Sequence, residues 1–193
     1  GRSRYGVDPL RSSDLQVVSH GQHARDPLRQ FRRVRNGRFV PHPAGEMQAG
    51  DLIAVGSAGA YGFAQICLED ALAWARERKT FGLPLSERQV IRHKLVDMAI
   101  RIETTRTLLE DLAWRVENSA GDPKVLVAQL SMLKVQSMQT LQFCADTAVQ
   151  ILGGMGFMRG TVSERIYREV KVMMIGGGAE EIMKDLAARQ WGL

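Results

Sequence analysis

The chain has 193 residues, of which 45% are hydrophobic and 24% are charged, which is enough for one hydrophobic core with an added tail. The net charge is +5 and the isoelectric point about 9.6, but much of the positive charge lies at one end, so the charge balance only weakly supports a nucleic-acid partner. The sequence has no run of about 18 apolar residues that could cross a membrane, and its arginine-bearing N-terminus lacks the apolar segment of a signal peptide.

Residues 1–50 differ in character from the rest of the chain. They are rich in Arg, Pro, His and Gly, they contain no Lys, Ile or Thr, and their apolar residues follow neither a helical nor a strand period. We therefore predict an irregular or disordered segment over 1–50 and a folded domain over 51–193. The arginines between Arg29 and Arg38 could bind a phosphate-bearing partner, although a solvated tail is the simpler interpretation. A third interpretation of this segment is an out-of-frame or misjoined coding stretch.

The folded part is predicted to be all-α, an antiparallel four-helix bundle with a short extra helix. Apolar residues recur at spacings of three, four or seven, as on a buried helical stripe. Ser86 with Gln89 fits a capping box, Asp122 before Pro123 fits a helix start, and Gly82 fits the end of the first helix. The predicted helices cover 52–78, 87–117, 123–152, 162–174 and 180–190.

Two small features of these helices have alternative interpretations. Gly56, Gly59 and Gly62 permit close approach of another helix or of a ligand, and close helix packing is the commoner reason for such spacing. The stretch Gln150–Phe157 ends the third helix at Gly153 and Gly154. It fits either an ordinary helix end or a place where a polar ligand lies against exposed backbone.

The two cysteines, Cys67 and Cys144, both lie in apolar helical patterns. They form neither a C-x-x-C spacing nor a disulfide framework, so we expect no metal and a reducing compartment. The expected location is the cytoplasm, or the mitochondrial matrix in a eukaryote.

Three separate helix junctions, taken together in order and approximate spacing, resemble the acyl-CoA dehydrogenase family. The resemblance covers 54–193 and corresponds to the C-terminal helical domain of that family. The motifs that carry it are Arg78-Lys-Thr-Phe-Gly82 with Gln89, Gln150-Ile-Leu-Gly-Gly154 with Gly156, and Arg168 followed by Ile175-Gly-Gly-Gly-Ala-Glu-Glu-Ile182.

The resemblance implies FAD as cofactor, held between the helical domain of one subunit and the β-rich middle domain of its neighbour. By the family pattern Arg78 and Phe81 contact the flavin cofactor across the subunit interface, with Thr80 and Gln89 nearby. The segment with Gln150, Gly153 and Gly154 is similar to the one that lies against the adenosine side of FAD.

The reaction implied is α,β-dehydrogenation of an acyl-CoA thioester in a homodimer or homotetramer. A carboxylate removes the α proton, the flavin takes the β hydride, and electrons pass to an electron-transfer flavoprotein.

The sequence departs from the family pattern at the catalytic base. Many members carry it as glutamate in a Y-E-G-T motif, and the matching position here is Gly177. Other members carry it on the first helix of this domain, where the nearest carboxylate here is Asp51. Glu180 and Glu181 fall in the first turn of a helix, where they offset its dipole. The identity of the base is therefore left open.

The second departure is one of extent. A basic segment of about 50 residues ahead of the helices cannot supply both the N-terminal and the middle domain of the family. We expect the chain to be part of a larger enzyme. The alternatives are a non-catalytic helical oligomerisation module and, on weaker grounds, a nucleic-acid binder that uses the arginine-rich segment.

Overall fold

The computed structural model describes residues 34–35, 38–39 and 49–193, with side chains described from Ile53 onward. Two strands, β1 (Val34–Arg35) and β2 (Arg38–Phe39), pair antiparallel ahead of the helices. The remaining residues of 1–48, and the predictions made for them, lie outside the described residues. The division of the chain at residue 50 stays a prediction.

The domain is helical, so the predicted all-α class is confirmed. Its helices are α1 (Ala49–Glu77), α2 (Gln89–Glu117), α3 (Pro123–Leu152), the single turn α4 (Gly154–Phe157), α5 (Val162–Ile175) and α6 (Glu180–Gln190). A short hairpin of β3 (Lys79–Thr80) and β4 (Leu83–Pro84), followed by a 3-10 turn (Leu85–Glu87), connects α1 to α2. Neither this hairpin nor α4 was predicted.

The central helix of the bundle is α3, which packs against α1, α2, α5 and α6. The core around it combines long apolar side chains with small ones. Alanines recur on the buried face of α1, where a short side chain lets the neighbouring backbone approach. The fully buried side chains include Met98, Leu109, Leu112, Leu133, Leu141, Ile166, Cys67 and Cys144.

Close packing was the favoured explanation for the glycines of α1, and two of the three do not fit it. A Cβ at Gly56 or at Gly59 would meet no described atom within 4 Å. Gly62 is buried. Alanine rather than glycine therefore sets the close approach along most of α1.

The helix directions follow from these connections and contacts. α2 runs antiparallel to α3, because Met98 contacts Cys144 while Thr105 contacts Thr140, and the hairpin turns the chain back from α1 into α2. α1 and α3 therefore point the same way.

α6 runs antiparallel to α3, because Gln139 bonds Glu180 at its start while Met132 shares a groove with Trp191 just after its end. α5 also runs antiparallel to α3, so α5 and α6 follow one another along it and complete the bundle.

Of the four local signals read as helix ends, two were right and two were wrong. Asp122 accepts the Lys124 amide at 2.8 Å and begins α3, and Gly153 ends it. The Ser86 capping box does not form, because Ser86 lies inside the 3-10 turn and α2 begins only at Gln89, after Arg88, without a side-chain cap. Gly82 does not end α1, which stops at Glu77, because Gly82 is needed in the turn of the hairpin.

Candidate functional site

A tight hairpin after α1 presents the first group of predicted residues. Its two-residue turn is Phe81–Gly82, and both residues have positive φ, 51° and 81°, as in a type I′ turn. A left-handed backbone costs a bulky residue about 1–2 kcal/mol, so phenylalanine is unfavourable for the turn itself. Phe81 is also 97% exposed, so the fold of this chain gains almost nothing from burying its ring. Its position points to a contact outside the chain.

Three more predicted residues surround this turn. Arg78 is exposed at the end of α1, and Thr80 is half-buried in β3. The guanidinium of Arg88 donates to the Thr80 carbonyl oxygen at 2.9 Å, which ties the hairpin to the start of α2. Gln89 is exposed on the first turn of α2, with its Nε2 at 3.5 Å from Nε2 of His93. Arg88 was not singled out from the sequence, although it adjoins Gln89.

The end of α3 presents the second group. Gly153 has φ 61° and ψ −131°, a conformation that a residue with a Cβ rarely adopts, and Gln150 is exposed one turn earlier. A Cβ at Gly153 or Gly154 would meet no described atom within 4 Å. The backbone at these two glycines is therefore open to the approach of another group.

Gly156 is different, because packing inside the chain requires it. A Cβ there would lie 2.6 Å from the carbonyl oxygen of Val149, so α4 can fold back onto α3 only with glycine at this position. The turn leaves the side chain of Phe157 86% exposed, with Met155 and Met158 exposed beside it.

The first and second groups lie at the same end of the bundle. α1 and α3 point the same way, so the hairpin after α1 and the glycines after α3 share one end. The structure thus places Arg78, Thr80, Phe81 and Gln89 at the end where Gln150, Gly153 and Gly154 lie.

The third predicted junction, the loop of Gly176–Gly178, lies elsewhere. The loop contacts α3 at Lys134, which precedes Gln150 by 16 residues, or roughly 24 Å of helix. Gly177 has φ 71°, and a Cβ there would meet no described atom within 4 Å. The position that matches the family glutamate is therefore open and carries no side chain.

Of the two nearby glutamates, Glu180 is engaged by its neighbours and Glu181 is exposed. Glu180 accepts a hydrogen bond from Gln139 at 2.8 Å and one from Lys184 at 2.5 Å. The bond from Lys184 lowers the pKa of Glu180, so this carboxylate is held ionised and engaged. Glu181 is exposed in the same first turn of α6. Asp51 belongs to α1, but its side chain lies outside the described residues.

Lys134 is a residue that the sequence reasoning missed. It is 4% exposed, and its Nζ donates to the carbonyl oxygens of Met174 at 2.6 Å and of Gly178 at 2.5 Å. Burial lowers the pKa of its ammonium, and the charge of Glu180 opposes that shift. A lysine four residues after Leu130 and four before Met138, on the buried stripe of α3, was the signal that could have found it.

Among the described residues, no three His, Cys, Asp or Glu side chains are grouped so that they could hold a metal ion. No helix in this part of the chain is both long enough and apolar enough to cross a bilayer.

Comparison with known proteins identifies the family of the helical domain. The family model for the C-terminal domain of acyl-CoA dehydrogenases matches residues 54–192. The probable acyl-CoA dehydrogenase YngJ of Bacillus subtilis (strain 168) is 39% identical over 131 residues, which cover 68% of this chain and 33% of that protein. The mitochondrial short-chain specific acyl-CoA dehydrogenase of Homo sapiens is 35% identical over 143 residues, 74% of this chain and 34% of that protein.

A solved structure gives the same result for the fold. The crystal structure of a probable acyl-CoA dehydrogenase from Mycobacterium abscessus superimposes with a TM-score of 0.71 at 38% identity, over 75% of this chain and 38% of that one. The chain spans about a third of the length of the curated relatives it matches. The chain belongs to the acyl-CoA dehydrogenase family, and residues 54–192 form its C-terminal domain.

Proposed function

We propose that this chain is the C-terminal part of an FAD-dependent acyl-CoA dehydrogenase, which catalyses α,β-dehydrogenation of an acyl-CoA thioester. The observation that carries the proposal is Phe81, held in a left-handed turn with its ring almost fully exposed beside Arg78. An arrangement that costs the isolated chain free energy and buries nothing is typical of a binding residue.

The residues at this end of the bundle fit a flavin dinucleotide. The guanidinium of Arg78 offers several donors for a pyrophosphate, and Phe81 offers a flat apolar surface. The amide of Gln150 can both donate and accept, and the open backbone at Gly153 and Gly154 leaves room for an adenosine. We place the FAD contacts of this chain at these residues, with Thr80 and Gln89 beside them.

At this end of the domain, the side chains would bind and orient the flavin cofactor. When bound, the flavin would supply the acceptor for the hydride that leaves the β carbon. Arg78 would hold the negative charge of the cofactor, and the ring of Phe81 would exclude water from one side. Because the chain spans about a third of its curated relatives, the remaining walls of the pocket would come from residues outside this chain.

The base that removes the α proton is not assigned to a residue of this chain. Gly177 offers no proton acceptor, and Glu180 is engaged by Lys184 and Gln139. A general base must reach the α carbon within hydrogen-bond distance. Asp51 stays the carboxylate nearest to the position where other family members carry the base on the first helix.

We infer the partners from the family. The chain would assemble as a homodimer or homotetramer, with acyl-CoA as substrate and an electron-transfer flavoprotein as electron acceptor. A reducing compartment, the cytoplasm or the mitochondrial matrix, fits the free, buried thiols of Cys67 and Cys144.

A non-catalytic helical oligomerisation module is the second candidate. The absence of a side chain at Gly177 favours it, because the family position for a base is empty here. The two candidates differ in whether the bundle needs a flavin.

Flavin binding by the purified chain separates them. We expect the chain to retain a fraction of added FAD in equilibrium dialysis, smaller than a whole enzyme would retain because part of the pocket lies outside this chain. Arg78→Ala should lower retention by about tenfold or more, because a charge-assisted hydrogen bond contributes about 1.5–3 kcal/mol. The matched control is Arg76→Ala, which removes an equally exposed arginine from the last turn of α1. A chain that retains no FAD, or retains it equally well as Arg78→Ala, would favour the oligomerisation module.

A further inference from the structure

The buried ammonium of Lys134 joins the middle of α3 to the junction of α5 and α6. On the same face of α3 it is flanked by the buried Leu130, Ser131, Ser137 and Met138, so its ammonium lies inside the bundle and away from water. An ammonium in such a place is costly unless it is hydrogen-bonded, and Lys134 recovers that cost through two backbone carbonyls.

Those two acceptors bracket the glycine loop. The Met174 carbonyl lies in the last turn of α5, where carbonyls lack intrahelical partners and the helix dipole is negative. The Gly178 carbonyl lies at the far side of the loop, two residues before α6 begins. One side chain therefore fixes both ends of Gly176–Gly178.

The loop needs such a tie because it consists of glycines. Gly177 and Gly178 have φ of 71° and 117°, and a Cβ at Gly178 would lie 2.6 Å from the Sδ of Met183. Glycine loses more backbone entropy on ordering than any other residue, so three in succession hold one conformation only if other groups stabilise it. Gln139, which donates to Glu180 at 2.8 Å, adds a second tie from α3 just after the loop.

We propose that Lys134 is a positioning residue that sets the conformation of the Gly176–Gly178 loop through its bonds to the Met174 and Gly178 carbonyls. The proposal rests on the proposed function only for the identity of the group that would approach the loop. A Cβ at Gly177 would meet open space, so a thioester group could approach the backbone there. In that setting Lys134 acts on the substrate through the loop, without touching it.

Hydrogen–deuterium exchange of this chain tests the proposal without any cofactor. Lys134→Met keeps the length and apolar stem of the side chain but removes the donors. We expect exchange of the hydrogen-bonded amides on either side of the loop, Gly176 and Met183, to rise by about ten- to a hundredfold, because hydrogen bonds from a charged group contribute about 1.5–3 kcal/mol. Amides in the middle of α1 and α2 should keep their exchange rates.

Two further variants separate positioning from general support of the core. Lys134→Arg keeps a buried cationic donor and should restore most of the protection of the loop. Lys184→Met removes an exposed lysine that bonds Glu180 at the same junction, and it should leave exchange of the Gly176 amide unchanged.

Three outcomes would overturn the proposal. They are unchanged exchange of the loop in Lys134→Met, a rise of equal size in every helix, and no restoration by Lys134→Arg. None depends on flavin retention, so a chain that never binds FAD leaves this test intact.

Discussion

Phe81 and Ser119 are the non-glycine residues with positive φ in the described part of the chain, at 51° and 49°. They lie at opposite ends of the bundle, Phe81 after α1 and Ser119 between α2 and α3. Each stores strain that a better turn residue would relieve. The difference between them is that only Phe81 belongs to the candidate cofactor site.

We predict that Phe81→Asn stabilises the chain and weakens flavin retention. Asn-Gly is a favoured pair for a type I′ turn, so the free energy of unfolding should rise by about 1 kcal/mol. Loss of the ring should at the same time lower retention of FAD. Urea unfolding and flavin absorbance measure the two effects.

The control for this variant is Ser119→Asn, which relieves a similar strain at the distant turn. It should raise stability without any change in flavin retention. If Phe81→Asn retains FAD as well as the unmodified chain, Phe81 is not a cofactor contact.

The two thiols of the core should make stability depend on alkaline pH. Burial raises the pKa of Cys67 and of Cys144 from the ordinary value near 9 to about 12. Between these values the folded chain keeps protons that the unfolded chain releases, so stability falls as pH rises from about 9 to about 12. Tyr61, whose pKa burial raises to about 12, adds to the upper part of this range.

Urea unfolding across this pH range measures the effect. Replacing both cysteines by alanine should flatten the dependence, leaving the part due to Tyr61. The native thiols should also react slowly with a thiol reagent at neutral pH until the chain is unfolded. Rapid modification of the folded chain would contradict their burial.

Single residues show where sequence reasoning succeeds and where it stops. Motif spacing was enough to single out Arg78 and Gln150 as candidates, because each motif is local. The left-handed turn at Phe81 and the hydrogen bonds of Lys134 could be found only from the structure, because both depend on how the chain folds back on itself. Lys134 reaches residues 40 and 44 positions away, and no local pattern encodes such contacts.

Among the elements, α3 has the best-defined start. Asp122 accepts the Lys124 amide at 2.8 Å, and Pro123 occupies the first helical position. A side-chain cap satisfies an amide that the helix leaves without a partner. Because α3 contacts every other helix of the bundle, its start is coupled to the stability of the bundle.

We predict that Asp122→Ala lowers the free energy of unfolding by about 1 kcal/mol. Asp122→Asn keeps an oxygen that can accept the Lys124 amide and should cost much less. Thermal or urea unfolding measures both. Equal losses in the two variants would show that charge, rather than the cap, is responsible.

The predicted helices agreed with the structure where their ends carry local signals. Asp122-Pro123 and Gly153 are such signals, and both boundaries were correct. The stretch between α1 and α2 misled the prediction, because Ser86 and Gly82 each fit a helix end while they serve a 3-10 turn and a hairpin. Strands of two residues are too short to show a period, so the hairpin could not be read from the pattern.

At the scale of the molecule, the described surface carries large apolar side chains exposed on α2. Val96 and Ile100 are 55% and 56% exposed and lie one turn apart. Such an adjacent apolar pair on a helix surface is a candidate contact surface. In a family expected to pair through this domain, a second copy is the occupant we propose.

We predict that the chain associates in solution and that Val96→Glu together with Ile100→Glu prevents it. Both positions are exposed, so the stability of the monomer should change by only about 0.5 kcal/mol, whereas two buried carboxylates would strongly oppose association. Sedimentation velocity over a range of concentrations measures the effect, and circular dichroism checks the fold. The control is Val172→Glu, a more exposed valine on α5, which should leave association unchanged. If flavin lies between two copies, the α2 variant should also lose FAD, whereas a chain that is monomeric at every concentration would contradict the pairing itself.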